Sequence, residues 1–345
     1  MQTLVSKDST KIVSISKQHS SSVLNKFTMR IGDKLKQKLF ANLNYINDSP
    51  YAETESFLRD AHDVFRRLLP SKLYDKIRSL TRDIDSKGYL LIENLPVDNN
   101  LCPTPNLTNS FNKNTFISEA CISGICQLIG DVFGYKNEKE GKLFHNIIPK
   151  QGKSKALSNE GFGVLLDLHN EDIHLYPHSP TFVSLFCLRK DRNEDAKTLL
   201  LPIKPLLASI PSDILTILRQ PLFFVDPPES FGKDNKKSTA LPVIDGPLDN
   251  PQVIVEFNDM QGLNSKAKKA LYAFKQICYN SPHMIEVKLK PGDLLVFDNR
   301  KVIHGRTSFR PYFDGNDRWC HRMFIKTGGF WDWRGLFKKN RILNF

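Results

Sequence analysis

One short stretch of the sequence places an imidazole and a carboxylate two residues apart, a spacing that suits a metal ion. The two residues are His169 and Glu171, and in a strand or its extension residues i and i+2 point to the same face. One more imidazole would complete a set of two histidines and one carboxylate, which leaves open positions on Fe(II) for O2 and a chelating co-substrate. His-x-Glu is a common pattern on its own, and the nearby His174 and His178 compete as ligands.

We expect the second imidazole to come from His304, which follows a predicted buried strand over residues 294–297. A histidine after such a strand, with Gly305 behind it, can reach across a barrel to the first pair. Further along the chain, Arg318 enters another apolar stretch, where a charged side chain is costly to bury unless it is paired. A dicarboxylate is a natural partner for it, because guanidinium forms a bidentate pair with a carboxylate.

The predicted elements that must position these residues are mostly helices early in the chain and mostly strands later in the chain. Apolar residues recur at helical spacing over residues 51–86, with a break at Pro70, and again over residues 115–133. Gly88 is predicted to end the first helical region, and one more helix is predicted over about 264–280. Short apolar strands bounded by Pro, Gly and Asn are predicted at 89–92, 163–168, 182–188, 222–225, 241–244, 252–257, 284–289, 293–298 and 319–326.

This pattern predicts a mainly β protein with flanking helices, whose core is a sandwich, a jelly roll or a barrel. Helices concentrated at the front would cover the outer face of one sheet. A doubly wound parallel sheet needs strands and helices to alternate throughout, which they do not, and the sequence has no glycine-rich loop of phosphate-binding spacing. We expect a weakly ordered arm over residues 1–30 and a single domain over 31–345, with a helical front at 51–134, a β core at about 85–330 and a helical insertion at about 260–281.

Composition narrows the class of protein. The 345 residues are 40% hydrophobic and 25% charged, values that exclude wholesale disorder and fibrous repeats. No apolar run approaches the roughly 18–20 residues of a membrane span, and residues 1–25 contain no apolar core of signal-peptide length. The six cysteines show no paired-ligand spacing, which favours free thiols in a reducing compartment. We therefore expect a cytoplasmic protein with no membrane partner.

The net charge of +12 raises the question of nucleic-acid binding. The densest basic stretch, residues 136–155, is interrupted by Glu138 and Glu140, and the other basic residues are dispersed. We interpret the charge as a solvated lysine surface that also attracts small anions, and we expect no nucleic-acid partner. A polyanion-binding face is the alternative interpretation.

Several further motifs follow one another along residues 85–330. They are Gly88-Tyr89-Leu90-Leu91-Ile92 with Leu95-Pro96; Phe133-Gly134-Tyr135; residues 141–149; Leu168-His169-Asn170-Glu171-Asp172; Pro180 with Cys187-Leu188-Arg189; Ala196 with Thr198; Pro291-Gly292-Asp293; His304-Gly305-Arg306; and Asp317-Arg318-Trp319. With these motifs the sequence resembles the Fe(II)/2-oxoglutarate-dependent oxygenases of the clavaminate synthase-like branch, in the taurine dioxygenase-like superfamily. Free L-amino-acid hydroxylases that act on arginine, lysine and asparagine belong to this branch. The resemblance implies that the core at about 85–330 is a double-stranded β-helix (a jelly roll, as in cupins). The glutamate at position 171 supports the branch, since the wider superfamily more often has aspartate there.

The resemblance implies roles for individual residues. His169, Glu171 and His304 match the iron ligands and thereby the catalytic centre. Arg318 matches the arginine that binds the distal carboxylate of 2-oxoglutarate, and Thr198 matches the threonine that assists it. The implied cofactors are Fe(II), 2-oxoglutarate as co-substrate and O2, and the implied co-products are succinate and CO2.

The resemblance also implies residues that hold the substrate. Arg322 matches a position that can hold the substrate carboxylate. Asp259 falls where arginine hydroxylases carry acidic residues for a cationic side chain. Glu138 and Glu140 lie in a segment where relatives hold the substrate amine, and Glu171 could contribute to the same contact.

We favour hydroxylation of a free basic L-amino acid, lysine or arginine, at C3 or C4. The alternatives are hydroxylation of asparagine or another neutral amino acid in natural-product biosynthesis and, from a different class, a non-catalytic basic jelly-roll binding protein. The binding protein would have no need of the three metal-ligand candidates together with Arg318. Residues 148–162 and 226–240 are predicted to form a lid over the amino acid, because 148–162 is polar, poor in apolar anchors and lies next to the iron-binding strand. No oligomeric state is implied.

Overall fold

The helices and strands are those of a computed structural model, which describes residues 27–83, 88–105, 113–227, 238–328 and 341–344. Most of the predicted N-terminal arm and most of the predicted second lid segment, 226–240, lie outside these residues. The helices are α1 (Asp33–Leu43), α2 (Thr54–Leu68), α3 (Ser71–Arg82), α4 (Ile117–Ile129), α5 (Ile203–Leu206), α6 (Ser212–Leu218) and α7 (Ser265–Tyr279). The strands are β1 (Thr28–Arg30), β2 (Tyr89–Glu93), β3 (Asp131–Tyr135), β4 (His145–Ile147), β5 (Leu166–His169), β6 (Phe182–Arg189), β7 (Thr198–Pro202), β8 (Phe223–Val225), β9 (Ile244–Asp245), β10 (Gln252–Val253), β11 (Met260–Gly262), β12 (Ile285–Val287), β13 (Leu294–Asp298), β14 (Val302–Arg306), β15 (Trp319–Lys326) and β16 (Ile342–Leu343).

Two sheets contain most of these strands. Within the described ranges, the larger sheet has eight strands in the order β1-β2-β13-β6-β15-β3-β16, with β4 also paired to β15. The smaller sheet has four strands in the order β12-β7-β14-β5. Apart from the parallel pairs β1–β2 and β3–β16, neighbouring strands of the two sheets are antiparallel. Strands that are far apart in the sequence therefore lie side by side.

The alternation of side chains shows that the two sheets pack face to face. In β13, Leu294 and Val296 belong to the apolar cluster formed with the helices, whereas Leu295 and Phe297 belong to a second cluster that also contains Leu200 of the smaller sheet. Successive side chains of a strand point to opposite faces. Each central strand therefore has one face toward the helices and one face toward the space between the sheets.

The outer face of the larger sheet is covered by the helices that come early in the chain. Helix α4 packs between this sheet and α2, and Gly124 marks the point of closest approach. A Cβ atom at Gly124 would lie 2.3 Å from Cδ2 of Phe65 and 2.9 Å from the carbonyl oxygen of Ala61. This contact explains a glycine in mid-helix, which costs about 1 kcal/mol of helix stability relative to alanine.

A buried ionic cluster joins the same helix to β15. His321 Nε2 lies 3.3 Å from Glu119 Oε1, and Lys113 Nζ lies 2.8 Å from Asp98 Oδ2 and contacts Glu119 as well. Burial opposes ionisation of Glu119, but Lys113 and His321 outweigh it and hold its pKa at about 2. His321 therefore uses the helical face of β15 for a structural contact.

The outer face of the smaller sheet is covered by α7 and the segments around it. Ala267, Ala270 and Phe274 of α7 join a cluster with Leu201 of β7 and Ile303 of β14. The helix begins where the Asn264 side chain accepts a hydrogen bond from the Ala267 backbone N–H at 2.9 Å, the usual way in which asparagine caps a helix. No helix in the described part of the chain has the length and apolarity to cross a membrane.

The expectation of a β-sheet core with flanking helices is confirmed, and so are two helices separated at Pro70. The helix predicted over 115–133 is shorter, because residues 131–135 form a strand instead. Gly88 does not end a helix: α3 ends at Arg82, and Gly88, at φ 79°, precedes β2. His304 follows β13, as expected, and lies inside a strand of its own, β14, which the sequence analysis did not predict because polar residues at its inward positions hide the strand pattern.

We predict that Gly124→Ala destabilises the protein despite the higher helix propensity of alanine. The added methyl group would lie 2.3 Å from a Phe65 ring carbon and 2.9 Å from a backbone carbonyl oxygen, so the overpacking should cost about 2–3 kcal/mol, the upper part of the usual range. After the roughly 1 kcal/mol gained in helix propensity, we expect a net loss of about 1–2 kcal/mol in the free energy of unfolding. Chemical denaturation would measure it. Gly32→Ala is the matched control, since a Cβ there meets nothing within 4 Å. Unchanged stability of Gly124→Ala would contradict this account of the helix contact.

Candidate active site

A cavity of about 180 Å³ lies between the two sheets. Its walls come from β4, β6, β13 and the β15 region on one side and from β5, β7 and β14 on the other. Residues 157–159, 225–226 and 256–259 also line it. The cavity thus lies where the inward faces of the central strands meet.

The structure brings the three predicted metal-ligand candidates together in this cavity. Strand β14 pairs with β5 so that the Cα atoms of His304 and His169 are direct partners. His304 Nε2 lies 3.6 Å from Glu171 Oε2, and one ligand atom from each of the three residues lies within 4.8 Å of the others. Of the rival histidines, His174 lines the cavity but is outside this group, and His178 is exposed.

The two imidazoles are in states that suit metal binding. Nδ1 of His169 lies 2.8 Å from the carbonyl oxygen of Asp167, which can only accept, so Nδ1 donates and Nε2 is the ring nitrogen left for a metal ion. A hydrogen bond of this kind commonly orients a metal-binding histidine. Burial, together with the neighbouring His169, lowers the pKa of His304 to about 4, which keeps its ring neutral.

Two asparagine amides hold the backbone on which Glu171 sits. The Asn299 side chain accepts from the Glu171 N–H at 2.7 Å and donates to the Glu171 carbonyl at 2.9 Å. The Asn170 side chain donates to the carbonyls of Asn299 and Val302, both at 2.9 Å, and accepts from Val255 N–H at 3.0 Å. These bonds tie the segment after β5 to β14 and fix the direction of the carboxylate.

Arg322 is the charged centre of the cavity wall. It lies on the same face of β15 as Cys320 and Phe324, which belong to the cluster between the sheets. Its Nη1 donates to Glu171 Oε1 at 2.6 Å, and its Nη2 donates to Glu138. Arg322, predicted to hold a substrate carboxylate, therefore already has two carboxylate partners.

The carboxyl groups around Arg322 differ in ionisation. Burial opposes the ionised form of Glu171, but Arg322 and the two imidazoles outweigh it and hold the pKa of Glu171 below its ordinary value. Burial raises the pKa of Glu138 despite Arg322, and burial together with Glu138 raises the pKa of Asp172 strongly. Ligand atoms of these three carboxylates also lie within 4.8 Å of one another, but Arg322 contacts two of them and supplies the countercharge.

Arg318 and Thr198 form a different part of the wall. Both are buried and both line the cavity. Among the described residues, Arg318 has no carboxylate partner. A desolvated guanidinium without a countercharge is a binding position for an anionic ligand. Arg306, two residues after His304, is also buried in this wall, and burial together with Arg318 lowers its pKa to about 9.

The predicted substrate residues do not all lie in the cavity. Asp259 lines it, and so do Glu256 and Asp226, which the sequence analysis did not select. Glu138 also lines it, but Glu140 does not: its side chain is 68% exposed and lies 3.1 Å from Lys142 Nζ. The physical reason is a tight turn in which Glu140 has a φ of 61°, so that it does not share the inward direction of Glu138.

The residues present fit a mononuclear iron site with a dicarboxylate beside it. Two neutral imidazoles and one carboxylate on one side of a cavity are the ligand set of non-haem Fe(II) oxygenases. The observation that carries this fit is the His169 hydrogen bond to a carbonyl, which aims Nε2 toward the Glu171 and His304 side chains. Arg318, without a carboxylate partner in the described ranges, fits one end of a dicarboxylate.

Several residues of the site were missed from sequence. Asn170 and Asn299 act on backbone atoms of residues far away in sequence, and only their place beside ligand candidates or strand ends hints at them. Glu256 had a clearer signal, since it is an acid directly after the apolar run 253–255. Its carboxyl is buried, which raises its pKa to about 7.

The chain is similar to known oxygenases. The model of the family described as "Taurine catabolism dioxygenase TauD, TfdA family" matches residues 216–324. An L-asparagine oxygenase of Streptomyces coelicolor is 30% identical over 259 residues, which are 75% of this chain and 77% of that protein. An L-lysine 3-hydroxylase of Catenulispora acidiphila is 29% identical over 267 residues, 76% of this chain and 73% of that protein. The solved structure of an asparagine oxygenase in complex with Fe(II), 2S,3S-3-hydroxyasparagine and succinate has a TM-score of 0.82 at 26% identity and covers 92% of this chain and 99% of that one.

We predict that His169→Ala and His304→Ala each abolish stoichiometric Fe(II) binding while the protein stays folded. Loss of a residue that merely supports a ligand already costs about 10–100-fold in metal affinity, so loss of a ligand should cost at least about 100-fold. Metal content after anaerobic loading would measure binding, and thermal unfolding would measure stability. His178→Ala is the control, because His178 is exposed and outside the cluster. Full metal content in either ligand variant would contradict the assignment.

Proposed function

Because the chain belongs to the Fe(II)- and 2-oxoglutarate-dependent oxygenases of the TauD/TfdA family, we propose that it hydroxylates a free L-amino acid with a cationic side chain. The position attacked is an unactivated C–H bond at C3 or C4, and succinate and CO2 are released. As an oxygenase of this family, the enzyme uses Fe(II), 2-oxoglutarate and O2. The family expected from the sequence motifs is thereby confirmed.

In this proposal, His169, Glu171 and His304 hold the iron, and Arg318 with Thr198 holds the distal carboxylate of 2-oxoglutarate. When bound, the iron and 2-oxoglutarate supply the oxidising chemistry that an unactivated C–H bond requires, which protein side chains cannot supply. The protein orients the two ligands and excludes water from them. Supporting the arrangement, Arg318 and the three ligand candidates all line one cavity.

We also propose that the two facing sheets form a double-stranded β-helix within one oxygenase domain over residues 31–345. The antiparallel order of strands far apart in sequence supports this topology. The TM-score of 0.82 to the asparagine oxygenase supports it further. In such a core, the site occupies the open space between the sheets, which is where the cavity lies.

The α-amino and α-carboxylate groups of the substrate would be bound around Arg322. A free amino acid is a zwitterion, and this part of the wall presents one guanidinium beside the carboxyl groups of Glu138 and Glu171. The carboxylate would approach Arg322 and the ammonium would approach Glu138. This end of the cavity is therefore matched to a free amino acid and not to a residue within a peptide chain, which lacks both charges.

The acidic wall at residues 226 and 256–259 is the observation that carries the choice of a cationic side chain. Glu256, Asp259 and Asp226 all line the cavity, and the backbone of Glu256 forms a bridge with that of His169. Opposite charge within a few ångströms in a poorly hydrated pocket is strongly favourable. A lysine- or arginine-like side chain would place its charge among these carboxyl groups. The similarity to an L-lysine 3-hydroxylase supports the same class.

Hydroxylation of asparagine or another neutral amino acid is the second candidate. It is favoured by the 30% identity to an L-asparagine oxygenase and by Asn258, whose side chain also lines the cavity and could pair with a carboxamide. The two candidates share the iron, the co-substrate and the zwitterion contacts, so they differ only in how the side-chain end is recognised.

We predict that the purified Fe(II) enzyme releases succinate with lysine, arginine or ornithine at least about tenfold faster than with asparagine, glutamine or aspartate. Glu256→Gln should raise KM for the cationic substrate at least about tenfold, since charge-assisted contacts are each worth about 1.5–3 kcal/mol. Asp259→Asn should raise it by up to about fivefold, because Asp259 is exposed and exposed ion pairs are worth up to about 1 kcal/mol. Glu140→Gln is the matched control, because this acid is exposed and outside the cavity. Faster succinate release with a neutral amino acid would favour the second candidate.

We predict that Arg318→Ala weakens 2-oxoglutarate binding by about 10–150-fold, the equivalent of one lost charge-assisted contact of about 1.5–3 kcal/mol. Anaerobic titration of the Fe(II) enzyme would measure the affinity without turnover. Arg310→Ala, an exposed arginine of the neighbouring segment, should bind 2-oxoglutarate normally. Wild-type affinity in Arg318→Ala would mean that Arg306 or Arg322 holds the carboxylate instead.

A further inference from the structure

Arg306 lies where the co-substrate pocket meets a surface segment. It is two residues after His304 on β14 and only 5% exposed, and it lines the cavity together with Arg318. Its Nη2 donates to the carbonyl oxygen of Gly161 at 2.6 Å. Its guanidinium also lies over the ring of Phe309, 5.0 Å from the centroid. One side chain thus contacts both the inner wall and the segment 148–163.

Segment 148–163 is anchored at both of its ends. Ile148 is buried in the apolar cluster on the helical side of the larger sheet, and near the other end Glu160 Oε1 accepts from Lys139 Nζ at 2.8 Å. The Phe309 N–H donates to the Phe162 carbonyl at 2.8 Å, and the Phe162 ring lies 6.4 Å from that of Phe309 and 5.7 Å from that of Phe313. The middle of the segment, residues 157–159, lines the cavity, yet Leu157 is 54% exposed. The segment therefore reaches over the cavity from an anchor that includes Arg306.

The charge of Arg306 makes this anchor sensitive to an anionic ligand in the cavity. Arg306 and Arg318 are both buried, and neither has a carboxylate partner in the part of the chain that the structure describes. Two desolvated cations in one wall repel each other, and a dianion beside them removes the repulsion. Arg306 contacts the carbonyl oxygens of Gly161 and Thr307 and the ring of Phe309. These contacts are to neutral groups, so an anionic ligand beside Arg318 would supply the countercharge.

We propose that Arg306 is a positioning residue that couples occupancy of the 2-oxoglutarate pocket to closure of segment 148–163. A dicarboxylate held by Arg318 compensates the neighbouring charge, and Arg306 then retains its bond to Gly161 and its place on Phe309. The segment is held over the cavity before the amino acid arrives. This inference rests on the proposed 2-oxoglutarate pocket but not on which amino acid is hydroxylated.

The glycine at the contact fits this role. A Cβ atom at position 161 would lie 1.9 Å from the carbonyl oxygen of Ala156, so the backbone turns tightly there. The tight turn presents the Gly161 carbonyl to Arg306 inside the wall. The segment as a whole carries mostly polar residues, and its closure therefore depends on few contacts.

Hydrogen–deuterium exchange of the anaerobic Fe(II) enzyme, with and without 2-oxoglutarate and without any amino acid, tests the coupling. In the wild type we expect 2-oxoglutarate to slow exchange in 148–163 at least about fivefold. In Arg306→Gln the exchange should be fast in both states, although 2-oxoglutarate still binds through Arg318. Arg310→Gln should behave as the wild type. Equal slowing in Arg306→Gln and wild type, or no slowing in the wild type despite bound 2-oxoglutarate, would overturn the proposal.

A second variant keeps the test decisive if Arg306→Gln fails to fold. Phe162→Ala removes an anchor of the segment without touching either arginine. Because coupling between two events is reciprocal, this variant should weaken 2-oxoglutarate binding by the same factor by which it reduces the slowing of exchange. Unchanged affinity would contradict the coupling.

Absence of 2-oxoglutarate binding to the wild type would instead refute the proposed pocket, and turnover of a neutral amino acid would refute only the proposed substrate class.

Discussion

Burying charge between two sheets is costly unless each charge meets a countercharge, and this constraint organises the cavity. Arg322 satisfies it internally, through Glu138 and Glu171. Arg318 and Arg306 do not satisfy it within the described residues, so the cavity has one wall that is balanced and one that an anionic ligand would balance. The same division separates the part that would hold a zwitterion from the part that would hold a dicarboxylate.

A single strand, β15, presents one face to the cavity and the other face to the helices. Its even-numbered residues Cys320, Arg322 and Phe324 face the space between the sheets, and its odd-numbered residues Trp319 and Met323 belong to the helical cluster. On the helical face, His321 contacts Glu119 in α4. One strand therefore joins the ionic cluster that fixes the helices to the guanidinium that fixes the carboxylate of Glu171.

The sequence was sufficient to predict features that depend on residues close together in the chain. It was not sufficient to predict features that depend on contacts between residues far apart in the chain. The i, i+2 spacing of His169 and Glu171 indicated a shared direction, and an arginine entering an apolar strand indicated an unpaired charge at Arg318. The amides of Asn170 and Asn299 could not be assigned roles, because their partners are set by the pairing of β5 with β14. Glu140 looked equivalent to Glu138 for the same reason: only the backbone turn between them separates a buried acid from an exposed one.

The side chains of β15 alternate between two faces, and this alternation restricts which changes in sequence the strand can accept. Insertion or deletion of a single residue there would exchange the two faces of the strand, moving Arg322 into the apolar helical layer and His321 into the cavity. The strand can therefore change only by substitution at constant length. In segments 148–163 and 256–259, adding or deleting one residue does not exchange two faces in this way, because these segments lie mostly outside the paired strands. New substrate preferences can arise there through changes in loop length as well as in side chains, while the frame that holds the metal and the co-substrate stays the same.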